Sequence, residues 1–180
     1  LKETDFRLSE LDGLFALAHE FKAHRGRHAA PLAGQTWAMI FSKSSTRTRV
    51  SFEVGVAELG GRPMFLNAGD IQLGRGEPIK DTARVMGRMI HGAVFRTFAQ
   101  SDVEEFAEFS GIPTINALTD EEHPCQILAD IQTIQEKRGA IAGKVMTLVG
   151  DGACNETVSW MFAAAKLGFE LSIAAPKKFK

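Results

Sequence analysis

The chain has 180 residues, enough for one domain or for one domain and part of a second. Hydrophobic residues make up 44% and charged residues 24% of it, as in an ordinary soluble globular protein, and the formal net charge is -1. This balance predicts no nucleic acid or membrane partner, and no apolar run is long enough to span a bilayer.

Predicted helices and strands alternate along the chain, which indicates βαβ crossovers and a largely parallel sheet. The first helix, over 9–23, has apolar positions at helical spacing, and the apolar segment TWAMIF predicts a strand at 36–41. A second helix starts at Ser44–Ser45 and presents Val50, Val54 and Ala57 inward. The later elements follow in this order: strand 63–67, helix 81–90, strand 93–98, helix 101–110, strand 112–117, helix 124–137, strand 144–150, helix 155–167 and strand 170–176.

The order of elements predicts an α/β protein with two domains. Residues 1–135 form the first domain, which is complete and contains a parallel sheet. Residues 136–180 supply only the opening βαβ unit of a second, Rossmann-like α/β domain. Two strands cannot cover both faces and both edges of a parallel sheet, so we expect this second domain to be incomplete in the chain.

The segment Ser44-Ser45-Thr46-Arg47-Thr48-Arg49 stands between a predicted strand and a predicted helix. Unpaired backbone N–H groups and the helix dipole favour an anion at such a junction, and ligands of open α/β sheets bind at the carboxyl ends of strands. Hydroxyl donors and a bidentate arginine suit a phosphate group. The alternative is an ordinary serine-capped helix with solvated arginines.

Two further segments place donors where they can meet a small substrate. Arg96 ends the AVFRTF strand, and its alternative role is that of a surface arginine. His123 and Gln126 stand at the start of the long helix, where they can donate hydrogen bonds to a carbonyl or an oxyanion. Taken alone, His123 is better explained as a helix cap or a packed surface histidine.

Three other features carry weaker signals. The charged, glycine-rich segment Gln72–Pro78 is typical of a mobile connector, a lid or a loop that reaches a neighbouring subunit. The segment Gly150–Asn155 resembles a dinucleotide fingerprint only loosely, because the third glycine is missing. Cys125 and Cys154 lack metal-ligand spacing and favour a reducing, cytoplasmic location over a disulfide framework. Cys125 is predicted to be a small packed thiol rather than a nucleophile.

Four segments together resemble the aspartate/ornithine carbamoyltransferase family. They read F-S-K-S-S-T-R-T-R-V-S-F-E, D-I-Q-L-G-R-G-E-P-I-K-D-T, R-T-F and H-P-C-Q-I-L-A-D, in the family's order and spacing. The first and last are similar to both branches of the family, whereas Q-L-G-R-G-E-P resembles the ornithine branch. Ala153 and Cys154 depart from the paired asparagines found in many ornithine enzymes.

The resemblance implies a role for each matching residue. Phosphate-binding residues of the carbamoyl-phosphate site would be Ser45, Thr46, Arg47 and Thr48. Residues holding the carbamoyl group would be Arg96, His123 and Gln126, with Arg96 and His123 as catalytic residues that polarise its carbonyl oxygen. Gln72 would complete the site across a subunit boundary of a homotrimer, and Asn155 would contact L-ornithine.

The implied reaction is attack by the neutral side-chain amine of L-ornithine on carbamoyl phosphate, giving L-citrulline and phosphate without a metal or organic cofactor. Positioning and oxyanion stabilisation would carry the catalysis. Two alternatives stay open: another amine such as putrescine as acceptor, or a non-catalytic carbamoyl-phosphate-binding domain. We expect these 180 residues by themselves to bind carbamoyl phosphate weakly and not to transfer the carbamoyl group.

Overall fold

A computed structural model describes residues 1–27, 29–67, 69 and 71–179 of the chain. Asp70, which opens the glycine-rich segment quoted above, and Lys180, the last residue of the predicted second domain, lie outside the described residues. The described elements run in the order α1 (Leu8–Ala23), β1 (Thr36–Phe41), α2 (Arg47–Glu58), β2 (Arg62–Asn67), α3 (Ile79–Met86), β3 (Gly92–Arg96), α4 (Gln100–Ser110), β4 (Thr114–Leu118), α5 (Pro124–Arg138), β5 (Val145–Val149), α6 (Asn155–Leu167) and β6 (Glu170–Ala174). Helices therefore alternate with strands, as the sequence pattern predicts.

The chain divides into two compact units. Leu1 and His24–Thr119 form the first unit, whereas Lys2–Ala23 and Asp120–Lys180 form the second. Helix α1 thus belongs with the later residues, in a division that differs from the predicted domains at 1–135 and 136–180. That domain boundary stays a prediction.

A four-stranded parallel sheet with the order β2-β1-β3-β4 forms the centre of the first unit. Because side chains alternate along a strand, Ala38 and Ile40 face one core, while Met39 and Phe41 face another. The first core includes Val103 and Phe106 of α4. These parallel strands confirm the predicted α/β class.

Helix α2 packs on the second face of this sheet, but not through the residues predicted. Val50 and Val54 are 53% and 39% exposed and Ala57 is also exposed, whereas Val56 is buried and Phe52 packs against Met39 and Phe41. The predicted inner face was therefore wrong. Both apolar pairs are spaced by four residues, so helical periodicity alone cannot choose between them.

The second unit contains a two-stranded parallel sheet of β5 and β6. Its apolar core joins Leu11 and Phe15 of α1 to Ile127 and Ile131 of α5 and to Trp160 of α6. Val145 and Val149 of β5 are 64% and 80% exposed, so one face of this sheet is uncovered in the described residues. Among the described residues, no helix combines the length and the apolar character needed to cross a membrane.

Candidate active site

The carboxyl end of β1 leads into the start of α2 and forms one wall of a cavity of about 450 Å³ in the first unit. Ser42, Lys43, Ser44, Ser45 and Thr46 line this cavity together with Phe41, Arg49, Phe65 and Asn67. The Ser42 N–H donates to the carbonyl oxygen of Arg96 at 2.8 Å, which ties the loop to the end of β3. Two of the predicted phosphate residues, Ser45 and Thr46, thus share a cavity at the predicted sheet edge.

The start of α2 presents backbone donors that no side chain caps. Helix α2 begins at Arg47, and its N-cap residue Thr46 makes no side-chain capping bond. The first hydrogen bond across this turn runs from the Val50 N–H to the Thr46 carbonyl oxygen at 3.0 Å. The N–H groups before Val50 have no partner in the helix, so they favour an anion there. The predicted start at Ser44–Ser45 lies before the observed one because these serines belong to the loop.

Arg96 lies where the pairing of β3 with β4 is irregular. Phe95 pairs with Asn116 and Arg96 with Leu118, so Ala117 has no partner residue across the ladder. Such a bulge changes the direction of the neighbouring side chains. Arg96 Nη1 lies 3.5 Å from Thr48 Oγ1, which brings together two residues predicted for one site. Strand β3 ends at Arg96, so Thr97 and Phe98, which were predicted to belong to this strand, lie outside it.

Arg47 and Gln72 are both exposed, and neither lines the cavity described above. Within the described residues, no hydrogen bond or ion pair engages the Arg47 guanidinium, which leaves its donors available to a ligand. Gln72 begins a short 3-10 turn over Gln72–Arg75, and Gly76 ends that turn with a φ of 90°. The structure places Gln72 on a surface turn of the first unit, where its role at a subunit boundary stays a prediction.

Lys43 was missed by the sequence analysis. Its side chain lines the same cavity as Ser45 and Thr46, and its Nζ lies 4.7 Å from the centre of the Phe98 ring. A cation inside a strand–loop–helix junction adds positive charge where an anion is expected. Arg49 also lines the cavity and stacks on Phe65 at 3.5 Å, so it braces β2 against α2.

The second unit holds the other predicted residues. His123 is the N-cap residue of α5 and is buried, while Pro124 occupies the first turn. Gln126 is exposed, and its Nε2 donates to Asp130 Oδ1 at 3.0 Å. Asn155 is the first residue of α6, and its Oδ1 accepts a hydrogen bond from the Glu156 N–H at 2.9 Å. All three thus stand at or beside a helix N-terminus.

Cys125 lies two residues after His123, in surroundings that disfavour a reactive thiolate. Burial raises the pKa of its thiol to about 12, and the Glu3 carboxylate adds to the rise. A thiol with that pKa stays protonated near neutral pH, whereas the thiolate is the reactive form. The expectation of a packed thiol agrees with this environment.

The sequence of this chain is similar to that of a known protein family. The sequence model of the family described as "Aspartate/ornithine carbamoyltransferase, carbamoyl-P binding domain" matches residues 1–136. This chain belongs to that family. The match includes every residue of the β1–α2 junction, Arg96, His123 and Gln126.

Individual members of the family are similar over nearly the whole chain. The ornithine carbamoyltransferase of Akkermansia muciniphila is 68% identical over 173 residues, which are 94% of this chain and 57% of that protein. The structure of ornithine carbamoyltransferase from Pyrococcus furiosus matches with a TM-score of 0.91 and 46% identity, covering 98% of this chain and 56% of that one. The Burkholderia thailandensis enzyme has the same TM-score, 45% identity, and coverage of 99% and 62%. The chain therefore spans a little over half the length of these relatives.

Proposed function

We propose that this protein transfers the carbamoyl group of carbamoyl phosphate to the side-chain amine of L-ornithine, giving L-citrulline and phosphate. The observation that carries the proposal is the β1–α2 junction, where uncapped N–H groups, Ser45 and Thr46 meet at one cavity. Relatives named ornithine carbamoyltransferase support the choice of acceptor. Arg96 lies beside Thr48, which supports a shared carbamoyl-phosphate site.

The phosphate group would bind at the start of α2. Ser45 and Thr46 would donate hydroxyl hydrogen bonds, as would Thr48, and the free N–H groups would add their partial positive charge. Arg47 would fold its unengaged guanidinium over the phosphate oxygens as a two-pronged donor. Lys43 adds charge to the same cavity without a specified contact.

The carbamoyl group would be held by Arg96, His123 and Gln126. Arg96 and His123 would donate to its carbonyl oxygen and stabilise the negative charge that develops there. The neutral amine attacks the carbamoyl carbon, a C–N bond forms, and the C–O bond to phosphate breaks as a proton passes from the nitrogen to the departing phosphate. Asn155 would hold the amino-acid substrate, and Gln72 would complete the site from a neighbouring subunit.

Location and assembly belong to the same proposal. We propose a homotrimer in the cytoplasm, which the family resemblance and the two thiol cysteines support. A trimer gives the exposed Gln72 turn a place to act, because a residue on the surface of one subunit can enter the site of the next.

Arg47→Ala tests the phosphate site in the full-length protein. We expect calorimetric titration with carbamoyl phosphate to show roughly 10- to 100-fold weaker binding, since a charged hydrogen-bonding group is lost. Thermal stability should not change, because Arg47 is exposed and has no partner among the described residues. Arg88→Ala, another exposed arginine of the first unit, is the matched control and should bind like the wild type.

The acceptor is tested by comparing citrulline formation with carbamoylation of putrescine by the same enzyme. If the enzyme carbamoylates putrescine faster than L-ornithine, putrescine and not L-ornithine is the acceptor. Carbamoyl-phosphate binding without any transfer would indicate a non-catalytic domain. Equal isotherms for Arg47→Ala and the wild type would refute the phosphate site itself.

A further inference from the structure

A buried hydrogen-bonded bridge in the second unit connects α6 to the residue before α5. Ser159 lies on α6 and is fully buried, and Glu122 and His123 are 3% and 8% exposed. Ser159 Oγ accepts a hydrogen bond from the His123 backbone N–H at 2.9 Å and donates one to Glu122 Oε2 at 3.0 Å. These residues are far apart in the sequence, so the bridge exists only in the folded unit.

The direction of the two bonds follows from the number of protons. A backbone N–H can only donate, so the serine oxygen must accept from His123. The serine has one hydroxyl proton, and an acceptor is needed for it on the other side. Glu122 supplies this acceptor, and its carboxylate thereby fixes the hydroxyl rotation that leaves a lone pair for His123.

Other charged groups surround the bridge within the second unit. Glu3 is 1% exposed and its carboxylate repels that of Glu122, while Lys2 attracts the Glu122 carboxylate and Asp5 and Glu121 repel it. A protein gains nothing in stability from burying two carboxylates together, since each loses its hydration. Such an arrangement is typical of residues kept for a task other than stability.

We infer that Ser159 and Glu122 are positioning residues that hold the His123 backbone, and with it the imidazole, in the orientation that the reaction needs. The inference rests on the proposed function, because it assumes that His123 donates to the carbonyl oxygen of carbamoyl phosphate. It goes beyond that function because neither residue touches substrate. His123 occupies the N-cap position without a side-chain capping bond, and the bridge ties its backbone to α6.

The main test uses Ser159→Ala in the full-length protein with two readouts. Hydrogen exchange of the His123 amide should become much faster, because its acceptor is gone. The kcat for citrulline formation should fall by about 10- to 100-fold while the KM for carbamoyl phosphate changes little, since a misplaced donor costs transition-state stabilisation. Thr36→Val removes a buried hydroxyl at the amino end of β1 and should change neither readout.

Two substitutions at Glu122 distinguish a positioning role of the bridge from a general packing role. They keep the inference testable even if the Ser159→Ala variant does not fold. Glu122→Gln keeps an oxygen acceptor for the serine proton and should retain kcat within about threefold. Glu3 also lies beside Ser159 and can accept its proton, so Glu122→Leu is combined with Glu3→Leu to remove both acceptors. This double variant should reproduce the Ser159→Ala effects, and unchanged His123 exchange and kcat in it would overturn the inference.

The two proposals fail in different ways. A wild-type protein that binds carbamoyl phosphate but forms no citrulline would refute the proposed function and, with it, the catalytic role of the bridge. Normal citrulline formation with a Ser159→Ala kcat equal to that of the wild type would refute the positioning role alone.

Discussion

Single buried side chains in the second unit are expected to make its stability depend on pH. Burial raises the pKa of Glu3 from 4.5 to about 7, and repulsion by Glu122 adds to the rise. Burial also raises the pKa of Glu122, against the hydrogen bond from Ser159. The folded protein therefore favours the protonated form of Glu3, whereas the unfolded chain ionises it at its ordinary pKa.

Glu3→Gln tests this pH dependence. The cost of keeping Glu3 protonated or burying its charge is absent below pH 4.5, grows as the pH rises to about 7, and is constant above that. The variant should thus gain about 1 to 3 kcal/mol in free energy of unfolding over the wild type between pH 4 and pH 8. Denaturant unfolding at several pH values measures the gain. A difference that does not vary with pH would contradict the shifted pKa.

Some residues of the candidate site could be predicted from the sequence, and others could not. Ser45, Thr46 and Thr48 could be predicted as phosphate residues because they are close in sequence and their chemistry suits a phosphate. Lys43 lies in the same segment and was overlooked, although a cation beside the hydroxyls is a readable signal. Ser159 was not predictable, because its partners become neighbours only when α5 and α6 pack.

At the level of elements, the strands were predicted well because each is an apolar segment between turn signals. Strand β1 has the predicted bounds, 36–41, whereas the strand predicted at 93–98 ends at Arg96. The bulge opposite Arg96 explains this early end, since it interrupts the ladder where the pattern continues. Nothing in the apolar pattern reports such an interruption.

Gly87→Ala tests the packing of α3 against the end of α4. A Cβ at Gly87 would clash with the Ser110 carbonyl oxygen, so the two helix ends would have to separate. We expect the free energy of unfolding to fall by about 1 to 3 kcal/mol, as in other overpacked sites. Gly13→Ala in α1 is the control, because a Cβ there meets nothing within 4 Å and alanine is the better helix former. It should leave stability unchanged or raise it, and equal losses in both variants would contradict the close approach.

At the level of the whole molecule, the proposed trimer makes a prediction about mixed subunits. Gln72→Ala and Arg96→Ala should each inactivate the full-length enzyme. If Gln72 acts in the site of a neighbouring subunit, a site in a mixed trimer is intact when its own subunit supplies Arg96 and the neighbour supplies Gln72. Each condition is met in half of the cases. Random reassembly of equal amounts should then restore about a quarter of the wild-type activity.

The control is a mixture of Arg96→Ala with Arg47→Ala. Arg96 and Arg47 belong to the site of the same subunit. Every site in such a mixed trimer therefore lacks one of these two arginines. Restored activity in this control, or none in the Gln72 mixture, would place Gln72 outside a shared site. Sedimentation of the wild-type enzyme checks the trimer independently.

The pairing of α1 with late residues has a consequence for biosynthesis. Leu11 and Phe15 belong to the same core as Ile127 and Ile131, and all of the first unit except Leu1 lies between them in sequence. During translation, α1 is synthesised before α5 and α6, against which it packs. Its apolar side chains therefore stay exposed until α5 has left the ribosome. Leu14 and Leu17 stay 37% and 46% exposed even in the folded unit. Nascent-chain chaperones should therefore engage α1 throughout synthesis of the central sheet.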